Sequence, residues 1–175
     1  PPAGAASGHR NAAILAALAP PRAAAAEGHR PLILELAHLD RRRLELTGSK
    51  MAQLGEIRNR LGLPVPEGFV ITTAAYERFF AAAGIQDEIN RLFQATAPED
   101  LEALMSASAR VQQLILRAPL PEDLQAAIHE AWQALEARQG PRLTVAVRSS
   151  SLFEDSAGSS FAGQFRTELN VSREH

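Results

Sequence analysis

The sequence predicts an α+β fold, rich in helix and holding a small mixed sheet, and three observations carry that prediction. Stretches with apolar residues at three-and-four spacing alternate with short runs of β-branched and aromatic residues. Glycine and proline stand where one kind of stretch gives way to the other. At 46% hydrophobic, the 175 residues hold enough apolar material for a core, which excludes a disordered chain.

The elements follow in chain order. Residues 1–40 read as a peripheral N-terminal helical extension and linker, and residues 41–175 as the body of the domain. In the extension, Asn11 to Ala19 places Ile14, Leu15 and Leu18 on one helical face before Pro20-Pro21 stops it. Pro31 to Leu39 fits a short strand or a helix, and its length does not decide between them. Arg41-Arg42-Arg43 reads as a solvated turn, since neither aromatic residues nor a wider basic patch accompany it.

Gly48-Ser49-Lys50 then opens a helix predicted over Met51 to Leu61, which Gly62 closes. Pro64 to Gly68 forms a rigid turn into a short buried strand, Phe69-Val70-Ile71. Thr72 or Thr73 caps the next helix, which runs through Tyr76, Phe79 and Phe80 to Gly84, and Ile85 to Phe93 forms another.

Pro98-Glu99-Asp100 and Pro121-Glu122-Asp123 are twin helix starts, each with proline in the first turn and two acids that complement the dipole. The first of these helices is expected to bury Leu101, Leu104, Met105, Val111, Leu114 and Ile115. The second is expected to bury Leu124, Ile128, Trp132 and Leu135. After Gly140-Pro141, Leu143 to Val147 reads as a strand buried on both faces or nearly so. Gln164 to Val171 reads as a returning strand, with Phe165, Thr167, Leu169 and Val171 alternating.

Charge and composition narrow the function. Eighteen Lys and Arg against 20 Asp and Glu leave a net charge of −2, so neither nucleic acid nor an acidic membrane is the expected partner. The absence of cysteine excludes disulfides, thiolate metal sites and a cysteine nucleophile, and fits a cytoplasmic protein. No G-x-S-x-G elbow occurs, and the five histidines lack metal-ligand spacing, so no metal site is assigned. A first residue of Pro1 rather than Met is read as the mark of a piece of something longer.

Two loops carry the chemistry that remains. At Gly48-Ser49-Lys50, a helix start presents free N–H groups and the positive end of its dipole, and Lys50, the only lysine in the chain, adds a mobile charge suited to phosphate. An ordinary surface lysine is the alternative. At the end of the Leu143–Val147 strand, Arg148 offers a planar fork that holds phosphate at two points. A structural ion pair with Glu154 or Asp155 is its alternative. Ser149, Ser150 and Ser151 could donate to phosphate or make local turns.

Taken together, the two loops resemble the ATP-binding domain of the phosphoenolpyruvate synthase / pyruvate phosphate dikinase family. Residues 48–56, GSKMAQLGE, resemble the family's G-G-K-x-A-x-L-G-E, and Val65-Pro66-Glu67-Gly68-Phe69-Val70-Ile71-Thr72 resembles V-P-x-G-F-x-[IVL]-[ST]-T. Val145-Ala146-Val147-Arg148-Ser149-Ser150, with Glu154-Asp155 and Ser160-Phe161-Ala162-Gly163-Gln164, resembles V-A-V-R-S-S-x-x-x-E-D…S-F-A-G-Q. The departures are Ser49 in place of the second glycine and Ser151-Leu152 in place of Ala-Thr.

The resemblance implies the N-terminal part of an ATP-grasp-like nucleotide-binding domain, with Lys50 and Arg148 on the ATP phosphates. It implies lesser contacts from Gly48, Ser149 and Gly163. It further implies a dikinase-type phosphotransferase that converts ATP to AMP and phosphate and passes a phosphoryl group through a histidine to an acceptor such as pyruvate, with Mg²⁺ accompanying ATP. The family's second ATP-binding lobe, phosphohistidine domain and barrel are expected beyond His175, so no catalytic residue is assigned in this piece. A degenerate nucleotide-binding or regulatory module without catalysis is the alternative.

Overall fold

A computed structural model describes residues 30–97, 99–149 and 166–173. They form two compact units: one from residues 30–75, 122–149 and 166–173, the other from residues 76–97 and 99–121. Among the described residues the fold is α+β and rich in helix, as the sequence predicts. The small mixed sheet is replaced by two separate two-stranded antiparallel sheets.

In the first unit, β1 (Ile33–Glu35) pairs antiparallel with β2 (Phe69–Ile71), in register Ile33↔Ile71, Leu34↔Val70 and Glu35↔Phe69. The apolar Pro31–Leu39 stretch is thus strand first, and then turns through a 3₁₀ helix at Leu36–His38. Leu36 and Leu39 from this stretch are buried against Val70, with Met51, Leu54 and Val65 packed around them, so residues just before 41 contribute to the core. Only Val70 of β2 is fully buried, and Ile71 points outward, so the strand is half-buried rather than enclosed.

Helix α1 (Leu44–Leu61) closes this core, and one small position, Gly55, dictates how tightly. A Cβ placed on Gly55 would sit 2.5 Å from both the Cβ and the carbonyl oxygen of Leu39. The backbone before the helix therefore lies directly on it. Asn59 fixes that approach by donating from Nδ2 to the carbonyls of Ala37 and Leu39, at 3.1 and 2.9 Å. Glu56 accepts from the Arg41 N–H at 3.3 Å and pairs with Arg60 at 3.1 Å. The solvated arginine turn is a 3₁₀ helix over Arg41–Arg43, capped by Asp40 through the N–H of Arg42. Gly62 ends α1 in the left-handed region at φ 63°, as expected of a C-terminal glycine.

Helix α2 (Thr73–Ala83) carries the chain from one unit into the other, and Thr72 is its cap. The Thr72 hydroxyl donates to the Pro31 carbonyl at 2.7 Å and accepts from the Ala75 N–H at 3.4 Å. In the second unit, α3 (Gln86–Gln94) and α4 (Leu101–Arg117) pack through Phe80, Ile89 and Val111. Asp100 caps α4 by accepting from the Ala103 N–H at 2.9 Å, so the helix begins after the Pro-Glu-Asp triplet rather than inside it. Its buried stripe is Ala107 and Val111 with Leu104, Leu114 and Ile115 partly covered. Leu101 and Met105, expected in the core, are 70% and 67% exposed. The three-and-four pattern fits both stripes, and Ala107 supplies the close contact that the bulkier residues were expected to make.

Back in the first unit, α5 (Glu122–Gln139) buries Leu124 and Leu135, with Ile128 and Trp132 half-buried. Its C-terminal Arg138 donates to Glu67 Oε2 at 2.8 Å and to Glu35 at 3.3 Å, while Glu67 Oε1 lies 3.5 Å from Arg58 of α1. The chain then turns at Gly140, in the left-handed region, into β3 (Val145–Arg148), which pairs antiparallel with β4 (Thr167–Val171).

Two expectations about this second sheet are corrected. β3 is not enclosed, and Val147 is 51% exposed. β4 is its one strand neighbour among the described residues, so apolar alternation is present without a layer to cover it. Nor does β4 alternate to its end: the register runs Val145↔Val171 and then Val147↔Glu168, which leaves one extra residue on β4. Asn170 takes it up at φ 57°, a left-handed conformation that asparagine tolerates, as a β-bulge.

Two outcomes are expected. Gly55→Ala forces Leu39 off α1 and lowers stability by about 1–3 kcal/mol, read as a shift of the urea midpoint with an unchanged slope. Acid stability tests the Glu67 clamp. The Arg138 guanidinium holds the Glu67 carboxyl below the ordinary carboxylate value. Its stabilising contribution is therefore complete above that ordinary value and is lost as pH falls through the depressed one. A Glu67→Gln variant should lose less stability than the parent chain between pH 6 and pH 3, as urea midpoints across that range would record.

Candidate functional site

The residues singled out in the sequence stand at two places in the first unit. At the first, Gly48 interrupts α1 with φ 75° and ψ 163°, a conformation open essentially to glycine alone. The turn Leu44–Thr47 precedes it, and the helix restarts at Ser49. A restarted helix presents its leading N–H groups and the positive end of its dipole, and Lys50 stands in its first turn, half-buried.

Two threonines hold the turn that precedes the break. Thr47 is buried and donates from its hydroxyl to the Arg43 carbonyl at 3.0 Å, tying the preceding turn to itself. Thr73, at the start of α2, donates to the Glu45 carbonyl at 3.0 Å and anchors that turn to the strand–helix junction after β2. Neither threonine was singled out as a site residue. Thr73 carries the only available signal, as the second threonine of the V-I-T-T run; for Thr47, a residue just before a glycine, the sequence holds none.

At the second place, Arg148 ends β3 with its side chain exposed, opposite Thr167 in the register, and Ser149 follows half-buried. Gly163 lies outside the described residues, as do Glu154 and Asp155, the alternative partners of Arg148, and Ser150 and Ser151. Glu67 links the helices that lead to the two places: Arg58 on α1 meets one carboxylate oxygen and Arg138 on α5 the other, and α5 runs by Gly140 into β3. A flexible cation at a helix start and a planar one at a strand end are the usual complement for a polyphosphate, one adaptable and one bidentate. Among the described residues no three acidic, histidine or cysteine side chains converge to hold a metal, and no helix is long and apolar enough to cross a membrane.

Comparison with known proteins gives the fold its class, an ATP-binding domain of phosphotransferases. The chain belongs to the family described as pyruvate phosphate dikinase, AMP/ATP-binding domain, whose model matches residues 44–175. It is 42% identical over 137 residues to a probable phosphoenolpyruvate synthase of Methanocaldococcus jannaschii, covering 78% of this chain and 11% of that protein. It is 41% identical over 152 residues to the phosphoenolpyruvate synthase of Aeropyrum pernix, covering 83% of this chain and 18% of that protein. A rifampicin phosphotransferase of Streptomyces sviceus is 37% identical over 139 residues, covering 79% of this chain and 16% of the relative. The chain thus spans less than a fifth of the length of these relatives.

The geometry of the break makes a direct prediction. Gly48→Ala places a Cβ in a backbone conformation it cannot relax into while Thr47 and Thr73 hold the flanking turn. The variant should lose about 1–3 kcal/mol of stability or straighten the helix, visible as a lowered melting temperature or as raised helical circular dichroism.

Proposed function

We propose that this chain is the N-terminal nucleotide-binding portion of a dikinase-type phosphotransferase, with an ATP-grasp-like arrangement, and that Lys50 and Arg148 hold the phosphates of ATP. The observation that supports this most is the Gly48 break. It opens a helix start at the chain's only lysine, inside a domain whose family binds AMP and ATP. Gly48 provides close backbone approach, and Ser149 a hydroxyl beside Arg148. Gly163 belongs to the same loop on sequence grounds.

In this reading residues 41–175 are the N-terminal part of the ATP-binding domain and residues 1–40 an N-terminal extension and linker to it, whose last residues, Leu36 and Leu39, reach the core. The protein they belong to works in the cytoplasm. There it converts ATP to AMP and phosphate, with one phosphoryl group passing through a histidine to the acceptor. Lys50 and Arg148 would offset the negative charge on the phosphates as it redistributes during transfer. Mg²⁺ would accompany ATP, but the described residues offer it no ligand set and no step is assigned to it. Because the second lobe and the histidine would lie in the rest of the protein, this piece alone binds without turning over. Pyruvate is the first acceptor to test. The relative named rifampicin phosphotransferase makes a rifamycin the second.

A specific observation supports another reading. Ser49 stands where the family motif has glycine, and Ser151-Leu152 where it has Ala-Thr, departures that fit a module that binds nucleotide or a partner without catalysis.

Isothermal titration of ATP into the chain checks the site. Lys50→Ala and Arg148→Ala should each weaken binding about tenfold or more, with melting temperatures that report less than about 1 kcal/mol of lost stability. A large stability loss in Arg148→Ala would assign that residue a structural role instead. A ³¹P NMR time course on the whole protein with Mg-ATP and each acceptor then separates the two readings, since AMP and phosphate must appear together if transfer occurs.

A further inference from the structure

The C-terminal half of α1, away from the Gly48 break, walls an open groove against the chain that precedes the helix. It consists of two adjoining hollows of about 500 and 590 Å³ that share Arg41, Glu56 and Arg60. One end is apolar, with Ile57 and the 67% exposed Leu61. The other end carries Arg42.

The carboxylates of this groove are already engaged. Glu56 accepts from the Arg41 N–H through one oxygen and from Arg60 through the other, and Asp40 accepts from both the backbone and the side chain of Arg42. The guanidiniums are not used up to the same degree. Arg41 meets no carboxylate with its side chain among the described residues. The side chains of Arg42 and Arg60 are 90% and 74% exposed, and Arg60 directs a single N–H donor at Glu56. Each guanidinium has five N–H donors, so the groove offers unsatisfied donors in excess of acceptors.

The shape selects among anions. Small-molecule sites enclose most of their ligand, whereas each of these hollows is about half open to solvent. Single-stranded nucleic acid is held by aromatic stacking as well as charge, and no Phe, Tyr or Trp lines the groove, His38 being its one ring. An extended peptide that is acidic along most of its length and apolar at one position matches both ends. We propose that this groove is a docking site for an acidic peptide segment of a partner protein. Arg41, Arg42 and Arg60 receive its carboxylates, and Ile57 with Leu61 seats one apolar side chain. The proposal uses none of the residues assigned to ATP and stands apart from that assignment.

Fluorescence anisotropy on the full chain tests it with a labelled short glutamate peptide carrying one central leucine. Saturable binding that weakens as salt rises is expected. The Arg41→Gln, Arg60→Gln double variant should bind about tenfold more weakly, from the loss of two exposed charge contacts. Leu61→Asp should weaken it as well. Arg41→Gln alone keeps the backbone N–H bond to Glu56, so it remains a folded probe, checked by its melting temperature, if the double variant does not. The proposal is overturned if the peptide does not bind or binds the variants equally. It is also overturned if a lysine peptide binds as well. Inorganic tripolyphosphate or a single-stranded oligonucleotide that binds more tightly through the same arginines would assign the groove to a small anion or to nucleic acid instead.

Discussion

One carboxylate ties together the parts of the chain that carry the candidate ATP site. Glu67 lies in the turn between α1 and β2, accepts from Arg138 of α5 and sits beside Arg58 of α1. Arg58 lies on the helix that carries Lys50 and Arg138 on the helix that leads toward Arg148, so Glu67 joins two helices whose contact residues are 80 positions apart in sequence. Arg138 extends the link to Glu35 on β1. All of these groups keep partial contact with water, so the network matters more for alignment than for total stability.

The second constraint is steric. Gly55 lets the backbone at Leu39 lie on α1 where any other residue would push it away, and Asn59 and Glu56 then satisfy the polar groups that this approach brings close. A run of α1 residues that could pass for an ordinary solvated helix face is thereby committed to holding the preceding segment. With that segment fixed, the turn before Gly48 is bounded by Thr47 on one side and Thr73 on the other. The conformation that restarts the helix at Ser49 is thus imposed by tertiary contacts as much as by glycine's own freedom.

Much of this was legible in the sequence wherever the cause is local. Gly62 stops α1 because a left-handed residue is needed there, Thr72 caps α2 through its own hydroxyl, and the helices fall where the apolar spacing puts them. The break at Gly48 was legible as a helix start, although the turn ahead of it was not. What could not be read depends on partners distant in sequence. Apolar alternation in β3 encodes a capacity for burial, but a covering layer decides whether burial happens. Leu101 and Met105 fit a helical stripe as well as Ala107 does, and only the position of α3 chooses between them. The Asn170 bulge leaves the alternation of β4 intact on paper while shifting its register by one. At the site, Lys50, Gly48, Arg148 and Ser149 occupy the loop positions their motifs suggested. Of the residues that hold those segments, Thr73 had a signal in the V-I-T-T run, whereas Thr47 and the pairing of Glu67 had none.

The β3–β4 ribbon has a further consequence. Val147 and Leu169 are exposed, and β3 offers an outer row of backbone donors and acceptors with no strand beside it among the described residues. Such an edge is a template for any chain able to add a strand. In concentrated solution the strands best placed to do so are those of other copies of the same polypeptide, because sequence and register match by construction. How far copies of the chain associate along that edge depends on how well it is blocked, by charge, by proline or by a segment laid against it.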